Sequence, residues 1–302
     1  MLINYQDTLK TIKDIRSGNY KEGERLDIPE IDEYIRFKPS NLNVILGHAN
    51  VGKTSMILFL MLCYTLKHKK RWLVYSSENE PHSILRKLIE YLVEKPLNKV
   101  TDTELEKAQS FIFDHFKIIS NEKSLNYKEL LELATAVKKA WDYHGFFIDP
   151  YNSIAKDREM LKSLGGHEYD YQCTTDFRIF CKHWKVSIWL NTHANTEAQR
   201  KRHRMGHTYE DMPIPPFSAD AEGGSKFVNR CDDFFVIHRY TQHPADYIYT
   251  HFIVRKVKEI ETGGRPTPYE EPIMFRSLVN NVGYAINNDS IIKTLKHTDL
   301  PF

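Results

Sequence analysis

The stretch that decides the fold is LNVILGHANVGKTSMILFLMLC, which runs from residue 42 to residue 63. It contains a short apolar run, a loop from Gly47 to Thr54 that matches G-x-x-x-x-G-K-[ST], and an apolar helical run. A strand, a glycine-rich turn and a helix in this order can surround phosphate groups, because the turn presents backbone N–H groups and the helix start adds positive potential. The stretch therefore predicts a nucleotide site, with ATP and Mg²⁺ as its cofactors.

Two residues of this loop have specific predicted tasks. Lys53 reaches the terminal phosphates, and the Thr54 hydroxyl is a ligand of Mg²⁺. All of the loop residues are candidate nucleotide contacts: Gly47, His48, Ala49, Asn50, Val51, Gly52, Lys53, Thr54 and Ser55.

The composition sets limits on the class of protein. The chain has 302 residues, of which 41% are hydrophobic, and a formal net charge of +2. This charge is too small for bulk attraction to nucleic acid, so any such binding must come from local clusters. No apolar run is long enough to span a bilayer, and the four cysteines form no C-x-x-C pair. We expect a cytoplasmic protein, or one of a host cytoplasm if it is viral, without a membrane partner.

The order of apolar runs predicts an α/β fold. Short β-rich runs alternate with helical segments up to about residue 192, which is typical of a doubly wound, mainly parallel sheet with helices on both faces. Three later runs, at 232–240, 249–257 and 272–277, predict an antiparallel extension. Residues 1–24 form a predicted arm and linker, and residues 25–302 one ATPase domain. In the arm, a short amphipathic helix is indicated by Leu2, Ile3, Leu9, Ile12 and Ile15.

Two segments show no regular pattern, Ala155–Gln172 and Asn195–Gly224. Each follows a predicted central strand, and long loops of this kind are usually functional. Because ligands bind at the carboxyl ends of parallel strands, we expect both loops on the nucleotide side of the sheet.

Two acidic residues follow predicted strands. Asp149 ends the run GFFID, where its carboxylate can join Thr54 at the magnesium ion; the alternative is a cap of the turn at Pro150. Glu78 follows WLVYSS and is the candidate general base, with Glu80 as the second choice. Either acid can instead serve the start of the helix at Pro81.

His193 follows the run VSIWLNT at the end of another predicted strand. There it can sense the γ-phosphate, although a single histidine at a strand end is also compatible with a purely structural role.

Taken in order, these features resemble the hexameric replicative helicases of the DnaB-like and phage or mitochondrial (Twinkle-like) type, within the RecA-like ATPases. The resemblance covers residues 25–280. It depends on RLDIPEIDEYI, GHANVGKTS, VYSSENEP, FFIDPYNSI, LNTHANT, GGSKFVNRCDDFFVIHR and IVRKVKEIETGGRPT. It implies a RecA-like fold, a homo-oligomeric ring of six copies, ATP hydrolysis coupled to movement on single-stranded DNA, and a primase or a loader as a further partner.

The resemblance also implies residue roles: Glu78 as the catalytic base, Asp149 on magnesium, and His193 as the γ-phosphate sensor. Lys256 and Lys258 would act on the nucleotide of a neighbouring copy. The family carries an arginine where Lys258 stands, so Arg255 or Arg265 is an alternative, and a lysine lacks the bidentate fork of arginine. The bland alternative is an edge strand with protective charge. Arg239 matches the family's contact with adenine.

The candidate DNA contacts lie in the second irregular segment, and the resemblance places that loop at the pore of the ring. Four basic residues cluster there: Arg200, Lys201, Arg202 and Arg204. Such clusters neutralise phosphates, although a run of charge is often only a solvated surface. Lys162 and His167 are secondary candidates, and we expect contacts to the DNA backbone without base stacking.

Two other functions remain open at this stage. One is a RecA-like recombinase-type or clock-type ATPase that does not unwind a duplex, and the other is a nucleotide-switched loader in which binding matters more than turnover.

Overall fold

Within residues 5–20 and 22–296, the part of the chain that the computed structural model describes, ten strands form one sheet. The strands are β1 Leu42–Gly47, β2 Trp72–Ser76, β3 Phe116–Ile119, β4 Gly145–Asp149, β5 Ser187–His193, β6 Asp233–His238, β7 Tyr249–Val257, β8 Ile273–Ser277, β9 Tyr284–Ile286 and β10 Asp289–Ser290. Their order across the sheet is β10-β9-β8-β7-β6-β1-β5-β4-β2-β3.

The α-helices of the described residues connect and cover these strands. They are α1 Tyr5–Arg16, α2 Pro29–Asp32, α3 Lys53–His68, α4 Pro81–Val93, α5 Asp102–His115, α6 Tyr127–Ala140, α7 Arg158–Trp184, α8 Thr196–Arg200, α9 Lys226–Arg230 and α10 Ile291–Leu295. Reciprocal capping boxes fix the starts of α5, at Thr101 and Glu104, and of α6, at Asn126 and Glu129. None of the helices described here is both long and apolar enough to cross a membrane.

The central strands are buried on both faces, as expected for a parallel sheet between two helical layers. The pairs β6-β1, β1-β5, β5-β4, β4-β2 and β2-β3 are all parallel. Side chains alternate between two cores: Phe147 faces the layer of α3, α4, α5 and α10, while Phe146 and Ile148 face the layer of α6, α7 and α9. The predicted doubly wound α/β fold is confirmed.

The antiparallel extension is also confirmed. Strands β7, β8, β9 and β10 continue the sheet from β6 through antiparallel pairs. The last two strands are only three and two residues long, so their sequence carries too little alternation for a prediction.

The expectation that Ala155–Gln172 has no regular structure is wrong. Helix α7 begins at Arg158, and the Oδ1 atom of Asp157 caps it by accepting the N–H of Met160 at 3.0 Å. The adjacent glycines suggested a loop, but the helix absorbs them in one break at Gly165, where φ is +75°. The buried residues Tyr169, Cys173 and Phe177 recur at helical spacing and are the signal that the analysis missed. The second segment, Asn195–Gly224, is mostly irregular apart from α8 and one 3₁₀ turn.

The arm contains the predicted amphipathic helix, α1. Its apolar side chains Leu9, Ile12 and Ile15 are 52%, 53% and 44% exposed. Leu2 and Ile3, which belong to the same prediction, lie outside the described residues. The division of the chain at residue 24 stays a prediction.

We predict that Gly145→Ala destabilises the protein. A Cβ atom at Gly145 would lie 2.1 Å from Cζ3 of Trp72, whose ring is buried between helix and sheet. Forcing a methyl group into a packed core typically costs about 1–3 kcal/mol, to be measured by urea unfolding. The matched control is Gly166→Ala, since a Cβ there meets open space in α7. Equal stability of the two variants would contradict this account of the core.

Candidate nucleotide site

Four neighbouring parallel strands end at one edge of the sheet and bring the predicted residues together. Register places Gly47 of β1 beside His193 of β5, and Ser76 of β2 beside Asp149 of β4. A cleft of about 510 Å³ opens at this edge. Its lining comes from the phosphate loop and the segments after β2 and β5: Ala49, Asn50, Glu78, His193, Ala194, Asn195, Thr196, Gln199 and Glu222.

The phosphate loop adopts a backbone that its sequence explains. Gly52 lies at φ +86° and precedes α3, a conformation that favours glycine. A Cβ atom at Gly47 would lie 2.5 Å from the carbonyl oxygen of Ile237, so only glycine allows β6 to approach so closely. The Lys53 amine donates to the carbonyls of Gly47 at 3.1 Å and His48 at 2.8 Å. Burial lowers the pKa of Lys53 to about 8, and the carboxylates of Asp149 and Glu78 oppose that shift.

The carboxylate of Asp149 is buried and accepts hydrogen bonds from four side chains. Its Oδ2 atom accepts from Thr54 Oγ1 at 2.8 Å, Ser76 Oγ at 3.2 Å and Asn79 Nδ2 at 3.1 Å. Its Oδ1 atom accepts from Asn191 Nδ2 at 2.6 Å. Burial raises the pKa of Asp149, and the donated hydrogen bonds from Asn191, Thr54 and Ser76 act in the opposite direction. The two predicted magnesium ligands, Thr54 and Asp149, are therefore in direct contact.

Three predicted catalytic groups form a chain above this pair. Lys53 Nζ lies 3.3 Å from His193 Nδ1, and His193 Nε2 lies 3.4 Å from Glu78 Oε1. A histidine tautomer with the proton on Nε2 can accept from Lys53 and donate to Glu78 at the same time. Ser153 Oγ also donates to Glu78 Oε1 at 3.2 Å. The Glu78 side chain is 49% exposed and so remains open to solvent.

Two further residues at this edge were missed by the sequence analysis. Asn152 Oδ1 accepts from the backbone N–H of His193 at 2.9 Å and from Thr192 Oγ1 at 3.0 Å. Ser76 bonds Asp149 and also accepts the backbone N–H of Asn79 at 3.0 Å. Both orient residues that we had predicted, and position after a buried strand is the signal that could have identified them.

The basic residues of β7 lie at the opposite end of the sheet. Val257 pairs with Asp233, which in turn pairs with Asn43 near the start of β1. Four residues of strand separate Asn43 from Gly47, which is about 13 Å at about 3.3 Å per residue. Lys256 and Lys258 therefore lie far from the phosphate loop of their own chain.

The two lysines have different surroundings. The Lys256 amine donates to the carbonyls of Val228 at 2.6 Å and Cys231 at 2.8 Å, which ties β7 to the end of α9. Lys258 is 40% exposed, with its amine 3.4 Å from Asp232 Oδ1. Of the alternatives, Arg265 pairs with Glu33.

The remaining predicted contacts lie at the nucleotide edge. Arg239 follows β6, and its Nε donates to the Tyr247 carbonyl at 2.6 Å. Arg200, Lys201, Arg202 and Arg204 are all exposed in the loop after β5. Lys162 and His167 are exposed on α7 instead of lying in a loop. Their roles toward adenine and DNA stay predictions.

A cluster of histidine and tyrosine side chains joins the basic loop to the phosphate loop. Its members are His48, His203, His207, Tyr209, His238, Tyr240 and His251. Tyr209 stacks on Tyr240 with ring centroids 3.6 Å apart, and His203 Nε2 lies 2.9 Å from the Tyr240 hydroxyl. In the phosphate loop, His48 Nε2 lies 3.0 Å from the Ile214 carbonyl. Nothing in the sequence predicted this cluster, since its members come from four separate segments.

The fold and the site define a RecA-like α/β architecture with a phosphate loop at the carboxyl edge of its sheet. The solved ATPase domain of a related fold superposes with a TM-score of 0.73 at 12% identity, covering 94% of this chain and 99% of that one. A DnaB-like replicative helicase, described together with its interactions with primase, gives a TM-score of 0.72 at 12% identity, covering 94% and 67%. A KaiC-like protein from Pyrococcus horikoshii gives 0.55 at 13% identity, covering 87% and 96%.

The sequence itself is similar to a Twinkle homologue, described as chloroplastic/mitochondrial, from Arabidopsis thaliana. The two are 26% identical over 266 residues, which is 82% of this chain and 35% of the relative. The chain thus spans about a third of the length of that protein. No family model matches the chain. The resemblance to DnaB-like and Twinkle-like replicative helicases, inferred above from motifs, is confirmed.

We predict that the histidine–tyrosine cluster makes stability depend on pH. Burial lowers the pKa of His251 to about 4 and that of His238 well below its usual value. The unfolded chain therefore takes up protons first, at about pH 6.5, so the stabilisation is complete above that pH and is lost as the pH falls toward about 4. Urea unfolding of His251→Phe between pH 7.5 and pH 5 should show a shallower pH dependence, by about 1.4 kcal/mol per pH unit.

The control for this measurement is His167→Gln, which changes an exposed histidine on α7. It should leave the pH dependence as in the wild type. A His251→Phe variant with the wild-type dependence would show that His251 does not titrate as its burial requires.

Proposed function

We propose that this protein is an ATP-dependent helicase motor that forms a ring and moves along single-stranded DNA in replication. The observation that carries the proposal is the chain Lys53–His193–Glu78 above the Thr54–Asp149 pair. These groups supply a phosphate-binding cation, a sensor, a base and two magnesium ligands at one strand edge. Similarity to replicative helicases in fold and in sequence supports the same function.

The residues present fit a nucleotide with Mg²⁺. A hydroxyl and a carboxylate are oxygen ligands of the kind that Mg²⁺ takes, and this ion is usually bound through one or two protein groups plus substrate phosphates. In agreement with that mode, the described residues contain no group of three or more His, Cys, Asp or Glu side chains able to hold a metal without substrate. Bound between Thr54, Asp149 and the phosphates, Mg²⁺ would neutralise charge on the β- and γ-phosphoryl oxygens.

Each side chain then has a definite task. Lys53 exchanges the Gly47 and His48 carbonyls for phosphate oxygens, and the added negative charge favours its protonated form. Glu78 accepts a proton from the attacking water, since its carboxylate is open to solvent beside the cleft. His193 loses its contact with Lys53 when phosphate arrives and can report this change to the loop that follows β5.

Completion of the site by a neighbouring copy follows from the position of β7. Lys258 is half exposed at the end of the sheet away from its own phosphate loop, as a residue acting on another subunit must be. Lys256 is less suited, because two backbone carbonyls hold its amine. We assign Lys258 to the neighbouring nucleotide and Lys256 to the support of β7. A ring of six copies is the arrangement implied by the family resemblance.

Single-stranded DNA is the proposed polymer, held by Arg200, Lys201, Arg202 and Arg204. These side chains are exposed on the loop that follows the sensor strand, so binding would respond to the sensor. We also propose a primase or loader as a partner. The described cysteines are all free and buried, which fits a reducing compartment such as the cytoplasm, or a host cytoplasm for a viral protein.

We predict that turnover depends on Lys53 and Glu78 and is stimulated by DNA. Lys53→Ala should lower kcat/KM for ATP by about 100-fold or more, because it removes a charge that stabilises the transition state. Glu78→Gln should lower kcat by about 10²–10⁴-fold while ATP binding survives, as expected for loss of a general base. The assay is phosphate release with and without oligo(dT), at two salt concentrations, with Glu132→Gln on exposed α6 surface as the control.

Stimulation by DNA should weaken as salt increases, because phosphate contacts release counterions. Turnover that requires Lys53 but ignores DNA at both salt concentrations would contradict the motor and favour a nucleotide-switched loader.

We predict that two inactive variants restore each other when they are mixed. Lys53→Ala removes the phosphate contact but keeps Lys258, whereas Lys258→Ala has the reverse defect. In a mixed ring, a Lys258→Ala copy can receive its missing cation from a Lys53→Ala neighbour. ATPase activity should therefore reappear on mixing, and it should not with the double variant Lys53→Ala/Lys258→Ala as the added copy. Full activity of Lys258→Ala alone would show that this lysine is not the trans residue.

A further inference from the structure

Two exposed aromatic rings face each other on the surface beside the basic loop. Phe217 lies in the segment after β5, and Tyr269 lies between β7 and β8. Their ring centroids are 6.3 Å apart and their planes differ by 21°. Phe217 is 36% and Tyr269 is 64% exposed, which is unusual for large side chains that could have packed into a core.

A cation without an acidic partner lies against both rings. The Arg255 guanidinium is 5.6 Å from the Phe217 ring centroid and 5.5 Å from that of Tyr269. Its Nε atom is buried and makes no hydrogen bond, and within the described chain no carboxylate forms an ion pair with it. A buried polar group without a partner carries an energetic penalty, so a ligand that accepts its hydrogen bond would bind favourably. Arg255 is thus directed toward this aromatic pair, in contrast to Lys256, which holds backbone carbonyls.

The basic segment runs directly past the rings. The Lys201 amine lies 5.7 Å from the Phe217 ring centroid, and the backbone N–H of Ile214 donates to the Lys201 carbonyl at 3.1 Å. Arg202 forms a β-bridge with Pro213, four residues before Phe217. The nearby acids are Asp220, which already pairs with Lys201, and the exposed Glu270 and Glu271 beside Tyr269. Exposed aromatic faces beside a basic strand are the combination that binds single-stranded nucleic acid.

We propose that Phe217, Tyr269 and Arg255 form a stacking platform for unpaired bases of single-stranded DNA. A base stacks on the exposed rings, and the phosphate of the same strand accepts from Arg255 and the neighbouring basic segment. The platform rests on the proposed DNA-binding function and deepens it, because it adds contacts to bases where the sequence analysis expected contacts to the backbone alone. Stacking is tolerant of sequence, since every base has an aromatic face.

The test compares binding of an intact oligonucleotide with that of an abasic one of the same charge. Wild-type protein with a non-hydrolysable ATP analogue is titrated with a thymidine 20-mer containing 2-aminopurine and with the matching abasic 20-mer. Tyr269→Ala should weaken binding of the intact strand by about 5- to 150-fold, the range for loss of one stacked base, and leave the abasic strand unaffected. Tyr269→Phe should restore binding and the quenching of 2-aminopurine fluorescence.

Two controls separate the ring from charge and from general surface effects. Arg255→Gln should reduce the salt dependence of binding by about one phosphate contact, which Tyr269→Ala should not do. Phe113→Ala changes another exposed aromatic residue, 58% exposed on α5, and should bind both strands as the wild type does.

Equal wild-type affinity for the intact and abasic strands, or unchanged binding by Tyr269→Ala, would overturn the platform while leaving DNA binding in place. A change in oligomeric mass of Tyr269→Ala in light scattering, without loss of base dependence, would overturn it in favour of a contact between copies. Failure of the wild type to bind either strand at low salt would instead contradict the proposed function.

Discussion

The buried carboxylate of Asp149 is the constraint on which the site depends. It ends β4 inside the sheet edge and binds side chains from the phosphate helix, β2 and β5. A carboxylate in such a position is tolerable only with several donors, because burial favours its neutral form. The donors thereby fix the relative positions of three strands and the start of α3. The same arrangement leaves Thr54 and Asp149 together where a magnesium ion bound to phosphates would be needed.

One chain holds only part of the machinery proposed here. The phosphate cation, the sensor and the base all lie at the carboxyl edge, whereas Lys258 lies at the other end of the sheet. This separation is expected for a ring in which each nucleotide lies between copies, and it ties turnover to assembly. The aromatic platform and the basic loop extend the same logic to DNA, since both follow the strand that ends in His193.

Much of the fold could be predicted because the central strands are apolar on both faces and end in polar residues. The phosphate loop, Asp149, Glu78 and His193 follow such strands, so their convergence was foreseeable from the sequence. Helix α7 was partly missed because its adjacent glycines resemble a loop, although Gly165 alone absorbs the break. The histidine–tyrosine cluster and the Phe217–Tyr269 pair were not foreseeable, since they join residues far apart in the chain through loop conformations that no local pattern specifies.

The central claim is that ATP hydrolysis drives strand separation, and displacement of a labelled strand from a forked DNA duplex tests it most directly. The account predicts displacement that requires ATP and Mg²⁺, requires a single-stranded tail on the fork, and is absent with Glu78→Gln. Vigorous DNA-stimulated hydrolysis without displacement, on forks with either tail, would contradict the helicase and favour a RecA-like ATPase that does not unwind.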